Sequence, residues 1–268
     1  MNLLKRTATA VVLLGSLFLL IQYAPDWVFF LFGLVFIVAA LAEFYDLTGK
    51  KGLGPQKALG LGLGVLVALT FIFRTIPLEA AFYAGLLVSG VYFVVSVRTA
   101  EKLAAFPASF VTTLLGPLYV AFPLGFIFRI RVEMGPYFLY FLAAIVFLGD
   151  TGAFFIGKPF GRHKMTPLAS PNKSWEGSAG GFLFAVAGAL LARFILLPVV
   201  PIMTVVLTAL VVHAAAQVSD PLESLFKRAV GVKDSSNLLP GHGGFLDRID
   251  SLILAGPLFY FIVRYIWK

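Results

Sequence analysis

Apolar residues run along this chain almost without interruption and yield only at short polar breaks. Nine stretches come near the roughly 17 to 25 residues that carry a helix across a bilayer: 7–24, 27–45, 58–73, 80–97, 104–128, 136–157, 178–199, 201–218 and 252–267. The third and ninth are short. Apolar positions are contiguous within each stretch, without the alternation at about ten-residue spacing that a transmembrane barrel shows. The pattern predicts an all-α integral membrane protein, a polytopic bundle of about nine transmembrane helices.

Composition agrees with the pattern. Hydrophobic residues make up 60% of the 268 and charged ones only 13%, against about 25% charged in soluble domains. The net charge of +8 does not point to nucleic acid, because Lys and Arg are scattered through short loops between apolar stretches rather than gathered on one polar domain. The absence of cysteine excludes disulfides, iron–sulfur clusters and thiolate nucleophiles, and leaves any metal to oxygen or imidazole ligands. Hard cations such as magnesium suit that inventory.

Lys5 and Arg6 ahead of 7–24 imitate a secretory leader. The run is longer than an h-region of roughly 7 to 15 residues, and Gln22-Tyr23-Ala24 lacks the small-x-small cleavage pattern, so it is expected to stay as a first helix. With nine spans and the N-terminus inside, fifteen of the twenty-one Lys and Arg fall on one side and six on the other. Because positive residues are retained on the cytoplasmic side, the two longest polar loops, 158–177 and 219–251, are expected in the cytoplasm of a cell (inner) membrane.

Those loops hold the candidate chemistry. Residues 224–250 concentrate eight ionisable side chains and four glycines. The cations Lys227, Arg228, Lys233 and Arg248 stand beside the carboxylates Asp234, Asp247 and Asp250, a mixture that suits a nucleotide and magnesium. Asp247 and Asp250 are three apart, so on a helix they share a face and reach one cation, with Asp220 as the opposing ligand. Asp150, a carboxylate at the end of the sixth stretch, is a further candidate because burial there is costly. Loop 158–177 carries four cations and two serines, and a helix opening at Ser174 to Gly177 would present its positive end to phosphate. The competing reading of that loop is a basic segment that fixes topology and meets anionic headgroups. Gly152-Ala-Phe-Phe-Ile-Gly157-Lys158 imitates a P-loop, but Pro159 stands where Ser or Thr is required. Glu223 with Lys227 reads as an ordinary i,i+4 pair, His213 as a packing residue, and Gly177 with Gly181 and Gly60, Gly62 and Gly64 as helix-packing positions.

Ser224-x-x-Lys227-Arg228, Lys233-Asp234-Ser235, then Leu239-Pro240-Gly241-His242-Gly243-Gly244-x-x-Asp247-Arg248-x-Asp250 closely resembles the signature of phosphatidate cytidylyltransferases, also called CDP-diacylglycerol synthases. Asp150-Thr-Gly-Ala, Gly157-Lys-x-x-Gly161-Arg and Ser170-Pro-Asn-Lys-Ser-Trp-Glu-Gly177 are similar to that family's second block. The resemblance covers roughly residues 145–267. It implies transfer of a cytidylyl group from CTP to phosphatidate with loss of pyrophosphate. It also implies magnesium on Asp220 and Asp247, with Asp150 and Asp250 as further acids. Lys173, Lys227, Arg228, Lys233, His242 and Arg248 would contact substrate phosphates, and Ser170 and Ser174 would donate hydrogen bonds. Three positions depart from the pattern: Ser219 for the usual Gly, Pro221 for an apolar residue, and Phe154 for a frequent Tyr. The chain divides into 1–135, a scaffold of transmembrane helices, and 136–268, the catalytic region with the two motif loops. A homodimer is compatible with this division, as is a second cation beside magnesium. Two other functions share the hydropathy: a CTP-using polyprenol kinase, and a small transporter, which would place its charges at mid-membrane in paired halves.

Overall fold

The computed structural model describes residues 15–73, 75–236, 238 and 243–267. After helical residues 15–23, the chain forms α1 (Asp26–Lys50), α2 (Lys57–Ile72), α3 (Leu78–Ser96) and α4 (Ala100–Gly116). The next helix, α5 (Phe122–Arg129), is flanked by wide π-helical turns at Pro117–Ala121 and Ile130–Met134. Then follow α6 (Pro136–Phe160), a hairpin of β1 (Lys164–Thr166) and β2 (Ser170–Ser174), α7 (Trp175–Leu196), α8 (Ile202–Ala229) and α9 (Leu246–Tyr265). Among the described residues, six helical segments are long and apolar enough to cross a membrane, with Ala100–Met134 counted as one continuous segment. α2 is apolar but has 16 residues. α9 has 20 and bears Asp247, Arg248 and Asp250 at its start. The protein is thus a polytopic helical membrane protein, with the antiparallel hairpin in loop 158–177 as the departure from an all-helical chain.

The largest difference from the expected boundaries is α8, which does not end with the apolar run at 218 but continues to Ala229. Residues 219–229 keep an apolar stripe: Phe226 packs on Phe44 of α1 and Tyr119 of the π turn, each with ring centroids 5.4 Å away. Such aromatic pairs contribute about 0.5 to 1.5 kcal/mol each and offset part of the cost of Pro221, whose missing N–H removes one ladder bond. Asp220 therefore sits on a rigid helix rather than at the start of a loop.

α6 and α7 pack backbone to backbone. A Cβ on Gly177 would come within 2.9 Å of the Ala153 carbonyl oxygen and 3.0 Å of Gly157 Cα, which is the close approach small residues allow in membranes. Gly60 and Gly64 face Tyr45 and Leu41 in the same way, whereas Gly62 faces open space. His213, fully buried, fills the room left by Gly149 and Gly181 and sets its Nε2 2.8 Å from Gln217 Nε2.

Candidate active site

A polar helix start organises the first wall of the site. Ser174 Oγ caps α7 by accepting from Gly177 N at 3.1 Å, the arrangement that Ser at an N-cap favours. Glu176, in the first turn, accepts from Arg162 N at 3.0 Å and His163 N at 3.2 Å, and lies 2.5 Å from His163 Nδ1. The end of α6 and the hairpin are thereby clamped to the start of α7. Arg228 Nε reaches from α8 to the Ala169 carbonyl at 3.3 Å, tying the hairpin to the second motif as well.

These contacts enclose a cavity of about 670 Å³ between α6, the hairpin, the start of α7, α8 and α9. Asp150, Asp220, Asp247 and Asp250 line it, together with Lys158, Lys164, Lys173 and Asn172. Ser174, Ser178, Gln217 and Ser251 complete the polar lining, and Phe154 contributes an apolar edge. Lys173 Nζ is 2.7 Å from Asp220 Oδ2. Ser251 Oγ donates to Asp150 Oδ2 at 3.1 Å. Ser219 donates to the Asp250 carbonyl, and Leu254 N donates to Ser219 Oγ at 3.3 Å, so the hydroxyl bridges α8 to the backbone of α9.

Asp247 is more heavily bonded than a loop carboxylate would be. Its Oδ2 accepts from Ser235 N at 2.9 Å and Gly244 N at 2.8 Å and lies 2.8 Å from Ser235 Oγ, while Oδ1 lies 2.6 Å from Lys227 Nζ. Lys227 is buried, and its ammonium is held between Asp247 and the fully buried Glu223. It lies behind Asp247 rather than among the residues lining the cavity.

The structure thus brings together Asp150, Asp220, Asp247, Asp250, Lys173 and Ser174 of the expected site with Lys158 and Lys164 of the basic loop, and adds Ser178 and Gln217. Ser170 stands at the start of β2, where its carbonyl accepts from Thr166 Oγ1 at 3.4 Å. Arg228, Lys233 and Arg248 have exposed side chains outside the cavity lining. His242 lies outside the described residues. Sequence reasoning missed Glu43, whose carboxylate on α1 reaches the second motif, and gave Glu223 and Lys227 as the i,i+4 pair they form without foreseeing that the pair is buried. Both are carboxylates amid apolar residues, which is the available signal.

Among the described residues, no three carboxylates or imidazoles converge into a ready-made metal centre. The donor chemistry nevertheless fits a hard divalent ion: four carboxylates face one cavity, each on a helix that fixes its position. Facing them are three ammonium groups and the capped positive end of α7, which suit a polyphosphate.

Comparison with known proteins agrees with this chemistry. The chain is 32% identical over 260 residues to a phosphatidate cytidylyltransferase of Staphylococcus epidermidis, covering 94% of this chain and 96% of that protein. It is 33% identical over 265 residues to one from Brucella suis, covering 97% and 92%. A Bacillus subtilis phosphatidate cytidylyltransferase is 35% identical over 151 residues, 56% of each chain. The pattern that defines the cytidylyltransferase family matches residues 4–266, so the chain belongs to the cytidylyltransferase family.

Proposed function

We propose that this protein transfers the cytidylyl group of CTP to phosphatidate, leaving CDP-diacylglycerol in the membrane and releasing pyrophosphate. The observation that carries the reading is the single cavity in which carboxylates and lysines up to a hundred residues apart meet beside membrane-crossing helices. A phosphate oxygen of phosphatidate attacks the α-phosphorus of CTP. The new P–O bond forms there while the bond to the pyrophosphate oxygen breaks. Such displacements depend on positioning and charge neutralisation rather than on a covalent nucleophile.

Asp220 and Asp247 would hold magnesium, with Asp150 and Asp250 as further acids. When bound, the ion supplies charge neutralisation to the departing pyrophosphate. Lys158, Lys164 and Lys173 bind phosphate oxygens, and Ser174 with the start of α7 adds the helix's positive end. Lys173 and Asp220 neutralise each other until a phosphate takes the ammonium. The helices of 1–135 serve as scaffold, except where α1 meets the second motif. The fifteen-to-six division of Lys and Arg over nine spans supports a cavity on the cytoplasmic side. A Leu168→Cys variant should then resist impermeant labelling in intact cells, and ready labelling would reverse the orientation.

The enzymatic test is purified protein in detergent with labelled CTP, magnesium and phosphatidate. Lipid-soluble label with release of pyrophosphate is expected. Release of CDP instead would identify a lipid kinase.

A further inference from the structure

Glu43 lies on α1, about 190 residues before the second motif, and is only 2% exposed. Its carboxylate accepts from three donors of that motif, Ser236 Oγ at 2.6 Å, Phe245 N at 3.0 Å and Leu246 N at 2.8 Å, and lies 2.9 Å from Ser235 Oγ, whose one proton it shares with Asp247. The last two donors belong to the start of α9, where the first N–H groups of a helix have no acceptor of their own. α9 has no side-chain cap from its own N-cap residue. Glu43 supplies that cap from another helix, and its charge complements the helix's positive end.

The same contacts lead to the cavity. Ser235 Oγ lies within hydrogen-bond reach of Glu43 and of Asp247, and Gly244 N donates to Asp247 one residue before the backbone that donates to Glu43. A Cβ on Gly244 would collide with both Ser235 Oγ and Glu43. Gly243 has φ +79° and admits Asp247 where a side chain would stand. The paired glycines thus make room for two carboxylates of the protein itself.

We propose that Glu43 is a positioning residue, which ties Ser235, Ser236, Phe245 and Leu246 to α1 and so sets the place from which Asp247 faces the cavity. The inference rests on Asp247 acting there. In Glu43→Gln the shape is kept, but an amide N–H₂ replaces an acceptor oxygen against a ring of donors, so at least one bond must be lost.

The full-length variant in detergent, assayed with CTP, magnesium and phosphatidate, should lose roughly 10- to 100-fold in kcat, the range seen when an outer partner of a site carboxylate is removed. KM for CTP should change by less than about threefold, since the residues touching the nucleotide are intact. Amide hydrogen exchange over 243–250 should rise, with exchange in α6 and α7 unchanged. In a Ser235→Ala background the same change should matter less, because the two act through one network. Exchange over 243–250 equal to that of the parent protein overturns the proposal. Should Glu43→Gln not fold, Ser236→Ala, which removes a single donor from Glu43, must raise exchange in the same segment, and failure to do so also overturns it. If Asp247→Asn keeps full activity while Glu43→Gln loosens the segment, the tie stands and the assignment of Asp247 is what fails.

Discussion

Replacing Lys227 separates two roles that predict different measurements. A lysine that binds a substrate phosphate can be changed to Gln with loss of turnover and little loss of stability. The structure assigns a different burden: the Lys227 side chain is 9% exposed and lies between Glu223, 0% exposed, and Asp247, 10% exposed. Lys227→Gln would leave two buried carboxylates facing one neutral amide. Breaking a buried ion pair from one side costs about 3 to 5 kcal/mol, because the abandoned charge stays desolvated. For a chain of this size that is a fall of on the order of 10 °C in the unfolding midpoint. Turnover should fall as well, since Asp247 loses one of its fixed partners. The assay is thermal unfolding in detergent beside product formation at saturating CTP. Adding Glu223→Gln to Lys227→Gln should restore much of the midpoint, because it removes the more deeply buried charge, while Asp247 keeps the donors Ser235 and Gly244. A Lys227→Gln protein that unfolds at the parent temperature yet turns over orders of magnitude more slowly would refute the buried-pair argument and return this lysine to phosphate binding.

Lys173→Gln should behave in the opposite way. Its pair with Asp220 is partly exposed, at 28% and 30%, so it is worth about 1 kcal/mol or less; the midpoint should hold while turnover drops by about a hundredfold or more. Asp220→Asn and Asp247→Asn should be nearly inactive at saturating CTP and magnesium. Wild-type maximal rates in both would move the metal to Asp150 and Asp250. Gly244→Ala should lose activity and about 1 to 3 kcal/mol of stability through overpacking against Ser235 and Glu43, whereas Gly62→Ala, where an added Cβ meets nothing within 4 Å, should be neutral by the same assays.

Local chemistry was legible in the sequence, and distant partners were not. The apolar runs predicted each described span because length and composition decide whether a helix suits a bilayer. The helix expected to open at Ser174 to Gly177 does so, with Ser174 as its cap. Asp150, Asp220, Asp247 and Asp250 could be singled out because carboxylates beside apolar helices are costly unless used. Nothing local, however, distinguishes an ammonium that faces a cavity from one that faces two carboxylates. Lys227 and Lys173 look alike in sequence and differ through Glu223, Asp247 and Asp220, which are carried by two different helices. Glu43 was passed over for the same reason: its four partners lie some 190 to 200 residues away.

Ser219 shows how a departure from the family pattern acquires a physical role. Beside Asp220, a hydroxyl in place of hydrogen could have disturbed the carboxylate. Instead it crosses to the neighbouring helix, where it donates to the Asp250 carbonyl and accepts from Leu254 N. A side chain bonded to two backbone groups of the next helix fixes the two helices against each other. Asp220 follows Ser219 on α8, and Asp250 is the residue whose carbonyl Ser219 holds. The bridge therefore sets the separation of two cavity carboxylates carried by different helices. Pro221 acts in the same place, since its missing N–H loosens the ladder of α8 where Ser219 crosses. Together the two unusual residues couple α8 to α9 at the level of the cavity, so a change at either should be read through the spacing of Asp220 and Asp250 rather than through loss of a ligand.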